Sequence, residues 1–321
     1  MAVYTQITAS ELEAFWAGYD LPALTGFTGI SEGTENSNYK IETETQPYIL
    51  TLYEKRMKVE ELPFFISLMQ HLAGKGINCP LPVTGRDGVA LRQLAGRPAV
   101  VTTFLPGASV RRGASALQCQ SLGVALATMH NAVTDFTQSR ENSLSLAGWA
   151  ELVSACALRA DEVQAGLSAV ITSELAFLRQ HWPQDLPAGV IHADLFPDNV
   201  FFKGDDVSGL IDFYFACSDF LAYDLAICLN AWCFEDHVAF NITKARALLR
   251  GYHAVRPMSE AELAALPLLC RGAALRFLLT RLYDVLHPKG GTPRDPLQYL
   301  KRLQFHQQVQ GVGEYGLEAA R

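Results

Sequence analysis

The chain has 321 residues, 49% of them hydrophobic and 18% charged, and a formal net charge of −7 from 26 Lys plus Arg against 33 Asp plus Glu. That length buries a substantial core and suits one large two-lobed unit or two domains, which excludes disorder, a collagen-like repeat and a small disulfide scaffold. The acidic balance excludes a polybasic membrane anchor or a nucleic-acid surface spread over the whole protein, so an anionic ligand needs more than bulk charge to hold it.

No basic run followed by a long apolar segment opens the chain, so no signal peptide is expected. No run of about 18 uninterrupted apolar residues suggests a membrane span. The seven Cys form no C-x-x-C pair, and free, mostly buried thiols in a reducing cytoplasm are the expectation.

In chain order, Ser10 reads as the cap of a first helix carrying Leu12, Phe15 and Trp16, which Pro22 interrupts. Asn38 to Thr43 alternates as a strand, with Tyr39, Ile41 and Thr43 on one side. Tyr48 to Tyr53 is a second strand, joined to the first by a turn at Glu44 to Pro47. Leu62, Phe65, Ile66 and Met69 have helical spacing and predict a helix covering this hairpin, ended by Gly74 and Gly76. Val89 to Gln93 and Ala99 to Leu105 read as further strands separated by Gly96-Arg97-Pro98. Phe104-Leu105-Pro106-Gly107 reads as the exit from a small β-rich lobe.

Beyond Gly107 the period becomes helical. Leu122, Ala125, Leu126 and Met129 form one stripe, and Leu167, Val170, Ile171, Leu175 and Leu178 another. A β-rich patch from Gly189 to Ile211 precedes helices from Leu221, Thr243 and Leu263, the last with Leu275, Leu278, Leu279, Leu282 and Leu286 on one face. The expected class is α+β, with a β-rich lobe at 1–105 and a mainly helical lobe at 106–321. Together they would make one unit with a ligand cleft.

The densest signal is His192-Ala193-Asp194-Leu195-Phe196-Pro197-Asp198-Asn199, between the apolar runs Val190-Ile191 and Val200 to Phe202. A Gly204-Asp205-Asp206 turn then returns the chain to Leu210-Ile211-Asp212-Phe213. Two carboxylates and an amide at a strand end suit metal-dependent phosphoryl transfer. Asp194 would orient and deprotonate an acceptor hydroxyl, while Asn199 and Asp212 would supply oxygen ligands to Mg²⁺. Taken singly, such residues are ordinary: an Asp in a turn usually caps or forms an Asx-turn, and His192 alone reads as a satisfied loop histidine. An Asp and an Asn five apart, with Ile-Asp-Phe centred thirteen residues later, are far more specific.

These strings resemble the signature of the aminoglycoside phosphotransferase and choline kinase superfamily, which shares the protein-kinase-like two-lobed fold. The closer resemblance is to its bacterial ATP:homoserine kinase branch, unrelated in fold to the GHMP-type homoserine kinases. It rests on Gly33-Thr34-Glu35-Asn36-Ser37-Asn38-Tyr39, Tyr48-Ile49-Leu50-Thr51-Leu52-Tyr53-Glu54, Leu62-Pro63-Phe64-Phe65, Phe104-Leu105-Pro106-Gly107, and Leu275-Arg276-Phe277 with Arg281-Leu282-Tyr283-Asp284. The resemblance implies transfer of the ATP γ-phosphoryl group to the hydroxyl of L-homoserine, with Mg²⁺, in threonine biosynthesis. It implies Asp194 as catalytic base, Asn199 and Asp212 as metal ligands, and Asp224 as a brace beneath the catalytic loop, with His192 ordering that loop.

On the nucleotide side the resemblance points to Gly33 and Thr34 in a glycine-poor phosphate loop, and to backbone around Thr102 and Phe104 for adenine. Thr51 stands where the superfamily places a phosphate-pairing Lys, so Lys40 or Lys55 is the candidate replacement. For the acceptor, Asp198 suits the ammonium group, and Arg276 or Arg281 the carboxylate. The alternatives are another small-alcohol kinase, for choline, an aminoglycoside or a hydroxylated amino acid, and a nucleotide-binding pseudokinase suggested by Thr51. Neither a nucleic acid nor a membrane is an expected partner, and the sequence leaves the oligomeric state open.

Overall fold

Hydrophobic alternation in the first hundred residues builds an antiparallel sheet, and helical stripes build most of the remainder. The structure, a computed structural model, describes residues 4–31, 36–54, 58–110, 113–236, 238–288 and 292–317. The chain divides into two units. The first comprises Met1–Gly107, Phe136–Gln138 and Ser208–Tyr214; the second comprises Ala108–Asp135, Ser139–Val207 and Phe215–Arg321.

In the first unit, α1 (Ala9–Trp16) is capped by Thr8, not Ser10. The Thr8 hydroxyl accepts the Glu11 N–H at 3.3 Å, and the Glu11 carboxylate accepts the Thr8 N–H at 2.8 Å. This reciprocal box satisfies two helix-end donors, which a cap at Ser10 would leave open. The strands β1 (Leu24–Ile30), β2 (Ser37–Thr43), β3 (Tyr48–Leu52), β4 (Arg92–Leu94) and β5 (Arg97–Thr103) form a sheet in the order β1-β2-β3-β5-β4. Every neighbouring pair is antiparallel. Ala95 and Gly96, at φ 50 and 71, make the tight β4–β5 turn, so Arg97 and Pro98 belong to β5 rather than to a separator.

Period-two alternation divides the sheet's side chains between two faces. Tyr39, Ile41, Tyr48, Leu50, Leu52, Ala99 and Val101 join Leu12, Phe15 and Trp16 in one core, so α1 covers that face. Thr51, opposite both Asn38 and Val100, lies on the other face. The predicted covering helix exists as α2 (Leu62–Gly74), with Leu62, Phe65, Ile66 and Met69 all buried. Its aromatic rings meet Phe136 and Tyr214, not the α1 core.

The second unit contains α3 (Ala116–Ala132), α4 (Leu146–Cys156), α5 (Leu167–His181), α6 (Leu221–Trp232), α7 (Ile242–Val255), α8 (Glu260–Leu286) and α9 (Leu297–His306). β6 (Ala108–Ser109) pairs with β8 (Val200–Lys203), and β7 (Ala188–Ile191) pairs with β10 (Cys217–Phe220). Between these, β9 (Asp206–Leu210) carries the chain from the second unit into the first. By length and composition α8 is apolar enough to cross a membrane. It packs instead against α4, α6 and α9, with 67% of its most apolar stretch buried. All seven cysteines are free and buried.

Candidate active site

The loop after β7 is held from below. Asp224, fully buried on α6, accepts the backbone N–H of His192 at 2.7 Å through Oδ2 and that of Ala193 at 2.9 Å through Oδ1. His130 of α3 places Nε2 3.1 Å from the same Oδ2, and its Nδ1 lies 2.8 Å from the Tyr252 hydroxyl on α7. Burial works to raise the Asp224 pKa, but the bond and charge of His130, with His192, hold the carboxyl below its ordinary value. Ala193 is kept at φ 63, a left-handed backbone uncommon for a residue with a Cβ.

That bend directs the next residues. The Asp194 N–H donates to His192 Nδ1 at 3.3 Å, so this ring nitrogen acts as an acceptor. Asn199 donates its amide to the Asp194 carbonyl at 2.8 Å and to Asp194 Oδ2 at 3.2 Å. The Trp232 indole donates to the Leu195 carbonyl at 2.7 Å, tying the loop's centre to the end of α6. Asp194 therefore presents a half-buried carboxylate whose direction is set by backbone and amide contacts. Such a group can receive a proton from an acceptor hydroxyl. His192, at 0% exposure, is locked inside the loop.

In the first unit, Asp212 is exposed and stands at φ 65, again left-handed. The nucleotide candidates Lys40, Thr51, Thr102 and Phe104 also lie in this unit. Lys40 Nζ is 5.9 Å from the Phe104 ring centroid and 3.3 Å from Glu42 Oε1, so its charge is partly answered locally. Thr51 donates to Asn38 Oδ1 at 2.7 Å, and Thr102 is buried near the end of β5. Gly33, Thr34 and Lys55 lie outside the described residues.

The acceptor candidates separate sharply. Arg281 donates to the Asp295 carbonyl at 3.1 Å and to Gln298 Oε1 at 2.9 Å, and stacks 4.5 Å from the Tyr299 ring centroid. Burial lowers its pKa. Arg276 is 1% exposed, and its Nε and Nη1 have no hydrogen-bond partner. Its guanidinium lies 4.8 Å from the Phe277 ring centroid, and Phe277 touches Phe196 of the loop. Asp198 is exposed and paired with Arg294 at 3.3 Å.

Sequence reasoning missed His130, Tyr252, Trp232 and Arg294. The first three sit on apolar helical stripes, where periodicity marks core and gives no sign of a polar role. Arg294 lies in a stretch with no motif of its own.

Comparison with known proteins fits this architecture. The model of the phosphotransferase enzyme family (APH) matches residues 26–258. The homoserine kinase of Xanthobacter autotrophicus is 59% identical over 322 aligned positions, covering 99% of this chain and 100% of that protein. The homoserine kinase of Rhizobium rhizogenes is 58% identical, with the same coverage. Among solved structures, an amicoumacin kinase in complex with AMP-PNP and Ca²⁺ superposes with a TM-score of 0.69 at 16% identity, covering 95% of each chain. A spectinomycin phosphotransferase in complex with ADP gives 0.68 at 16% identity, covering 97% of this chain and 98% of that one. These last two establish the shared kinase-like fold, and with the family match and full-length relatives they place the chain in the phosphotransferase enzyme (APH) family.

Proposed function

We propose that the chain is an ATP-dependent homoserine kinase, which transfers the γ-phosphoryl group to the side-chain hydroxyl of L-homoserine and yields O-phospho-L-homoserine and ADP. The observation that carries the reading is Asp194, a carboxylate oriented by Asn199 on a loop that Asp224 braces. Relatives of 55–59% identity along their whole length, all homoserine kinases, support the choice of acceptor. A role in threonine biosynthesis and a cytoplasmic location follow from the same reading. Residues 1–105 would cover the nucleotide, and residues 106–321 would carry catalysis and the acceptor.

Asp194 takes the hydroxyl proton as the oxygen attacks, and its fixed direction keeps that oxygen in line. The residues also suit Mg²⁺. Asn199 turns its amide nitrogen to Asp194, which leaves its carbonyl oxygen facing away from that carboxylate, and Asp212 offers an exposed carboxylate. No cluster of three or more His, Cys, Asp or Glu forms a metal cage among the described residues. Two protein oxygens match a cation that takes its remaining ligands from phosphate and water. When bound, Mg²⁺ offsets the charge of the phosphates. The unpaired Nε and Nη1 of Arg276 favour it over Arg281 as the fork for the homoserine carboxylate.

Purified protein with Mg-ATP should release ADP in a homoserine-dependent manner, and far more slowly with choline, threonine or an aminoglycoside. Asp194→Ala should lower kcat by about 10³-fold with an unchanged melting temperature. Near-wild-type turnover in that variant would remove Asp194 as the base. A preference for another alcohol would replace homoserine and leave the phosphotransferase assignment intact.

A further inference from the structure

Asp212 keeps a left-handed backbone, φ 65, that a residue with a Cβ holds only where its surroundings impose it. Two residues on, the same segment is held by Tyr214. The Tyr214 hydroxyl is 2.8 Å from the Tyr53 hydroxyl, and the two rings meet edge to face at 5.3 Å. Phe65 of α2 meets the Tyr214 ring at 5.6 Å. Thr51 of β3, two residues before Tyr53, donates to Asn38 Oδ1 of β2 at 2.7 Å.

The phenol pair joins the residue that follows β3 to the segment that carries Asp212, and the Thr51–Asn38 bond ties β3 to β2. Thr51 cannot pair a phosphate as a cation would; its hydroxyl is already engaged with Asn38.

We propose that Tyr53 and Tyr214 are positioning residues for Asp212, a phenol pair that locks the metal-binding turn onto the sheet and so sets the affinity of the cation site. The inference rests on the reading of Asp212 as a metal ligand. It goes beyond that reading by naming residues that touch neither metal nor substrate.

The test is titration of Mn²⁺ into the ADP-saturated enzyme, with free Mn²⁺ followed by electron paramagnetic resonance. Tyr214→Phe and Tyr53→Phe keep both rings and remove one hydroxyl each. Each should weaken Mn²⁺ binding by about 5-fold, the loss of one net hydrogen bond. The double variant should be no weaker than Tyr214→Phe alone, because both break one bond. In turnover, the Mg²⁺ activation constant should rise while the KM for homoserine stays fixed, a split that loose packing would not produce. Wild-type Mn²⁺ affinity in Tyr214→Phe, when Asp212→Ala has lost the ion, overturns the proposal and spares the metal reading. Undiminished Mn²⁺ binding by Asp212→Ala overturns both. If Tyr214→Phe does not fold, Tyr53→Phe, which breaks the same bond, decides alone.

Discussion

Asp224 concentrates the chemistry of one side chain. Two backbone N–H groups and a histidine converge on a carboxylate with 0% exposure, so each donor depends on the others remaining. An amide in its place presents one oxygen and one NH₂, and the NH₂ would face a backbone donor. Asp224→Asn should therefore cost about 2 kcal/mol, the price of one buried donor left unmet. It should also release the Ala193 bend and lower kcat by at least about tenfold. The pH dependence has a definite sign. Because the folded pKa is depressed, the stabilisation is present above the ordinary carboxyl value and lost as pH falls through the folded one. Urea unfolding of wild type should therefore show an acid limb that Asp224→Asn lacks, and parallel curves would contradict the assignment. The Asp194 and Asn199 pair was legible because five residues of one loop bring them together. The brace was only half legible. His130 lies 94 residues from Asp224, on a helix whose spacing speaks only of burial.

At the scale of elements, long stripes were the clearest text, since α2 and α8 bury the residues their spacing assigned. β1 was not legible: Leu24–Ile30 holds two glycines, which weaken both β propensity and alternation, and its pairing with β2 is decided by the sheet. The crossing of α3 and α7 was equally silent, and it matters because these helices carry His130 and Tyr252. A Cβ on Gly123 would meet the Leu248 carbonyl oxygen and the Tyr252 nitrogen, and one on Gly251 would meet the Gln120 carbonyl oxygen. Both obstacles are backbone, so neither can swing aside. Gly123→Ala should destabilise by about 2 kcal/mol, since overpacking exceeds the gain in helix propensity. It should also reduce kcat by displacing His130. Gly74→Ala is the control, because a Cβ there meets nothing within 4 Å. Thermal unfolding of the two variants, with only Gly123→Ala losing several degrees, checks the crossing; equal melting temperatures would refute it.

Across the whole molecule, the net charge of −7 is unevenly placed. From His192 to Asp224 there are seven Asp and one basic residue, Lys203. Several of these carboxylates have partners within the fold: Asp224 has His130, Asp198 has Arg294, Asp219 has an Asn142 bond at 2.6 Å, Asp205 the Ser115 hydroxyl and Asp194 the Asn199 amide. Burial also raises the Asp219 pKa. The proposed reaction brings a nucleotide's phosphates toward this acidic stretch of sequence. Naked ATP should therefore be repelled and Mg-ATP accepted. Calorimetric titration in EDTA should show ATP binding at least about tenfold weaker than in Mg²⁺. Salt separates this from a simple missing contact. Repulsion between exposed charges is screened as ionic strength rises, so binding in EDTA should strengthen with added KCl, while Mg-ATP binding should change little. A fall in EDTA affinity with salt would mean that cationic side chains, not the metal, hold the phosphates, and would return Lys40 to the centre of the nucleotide site.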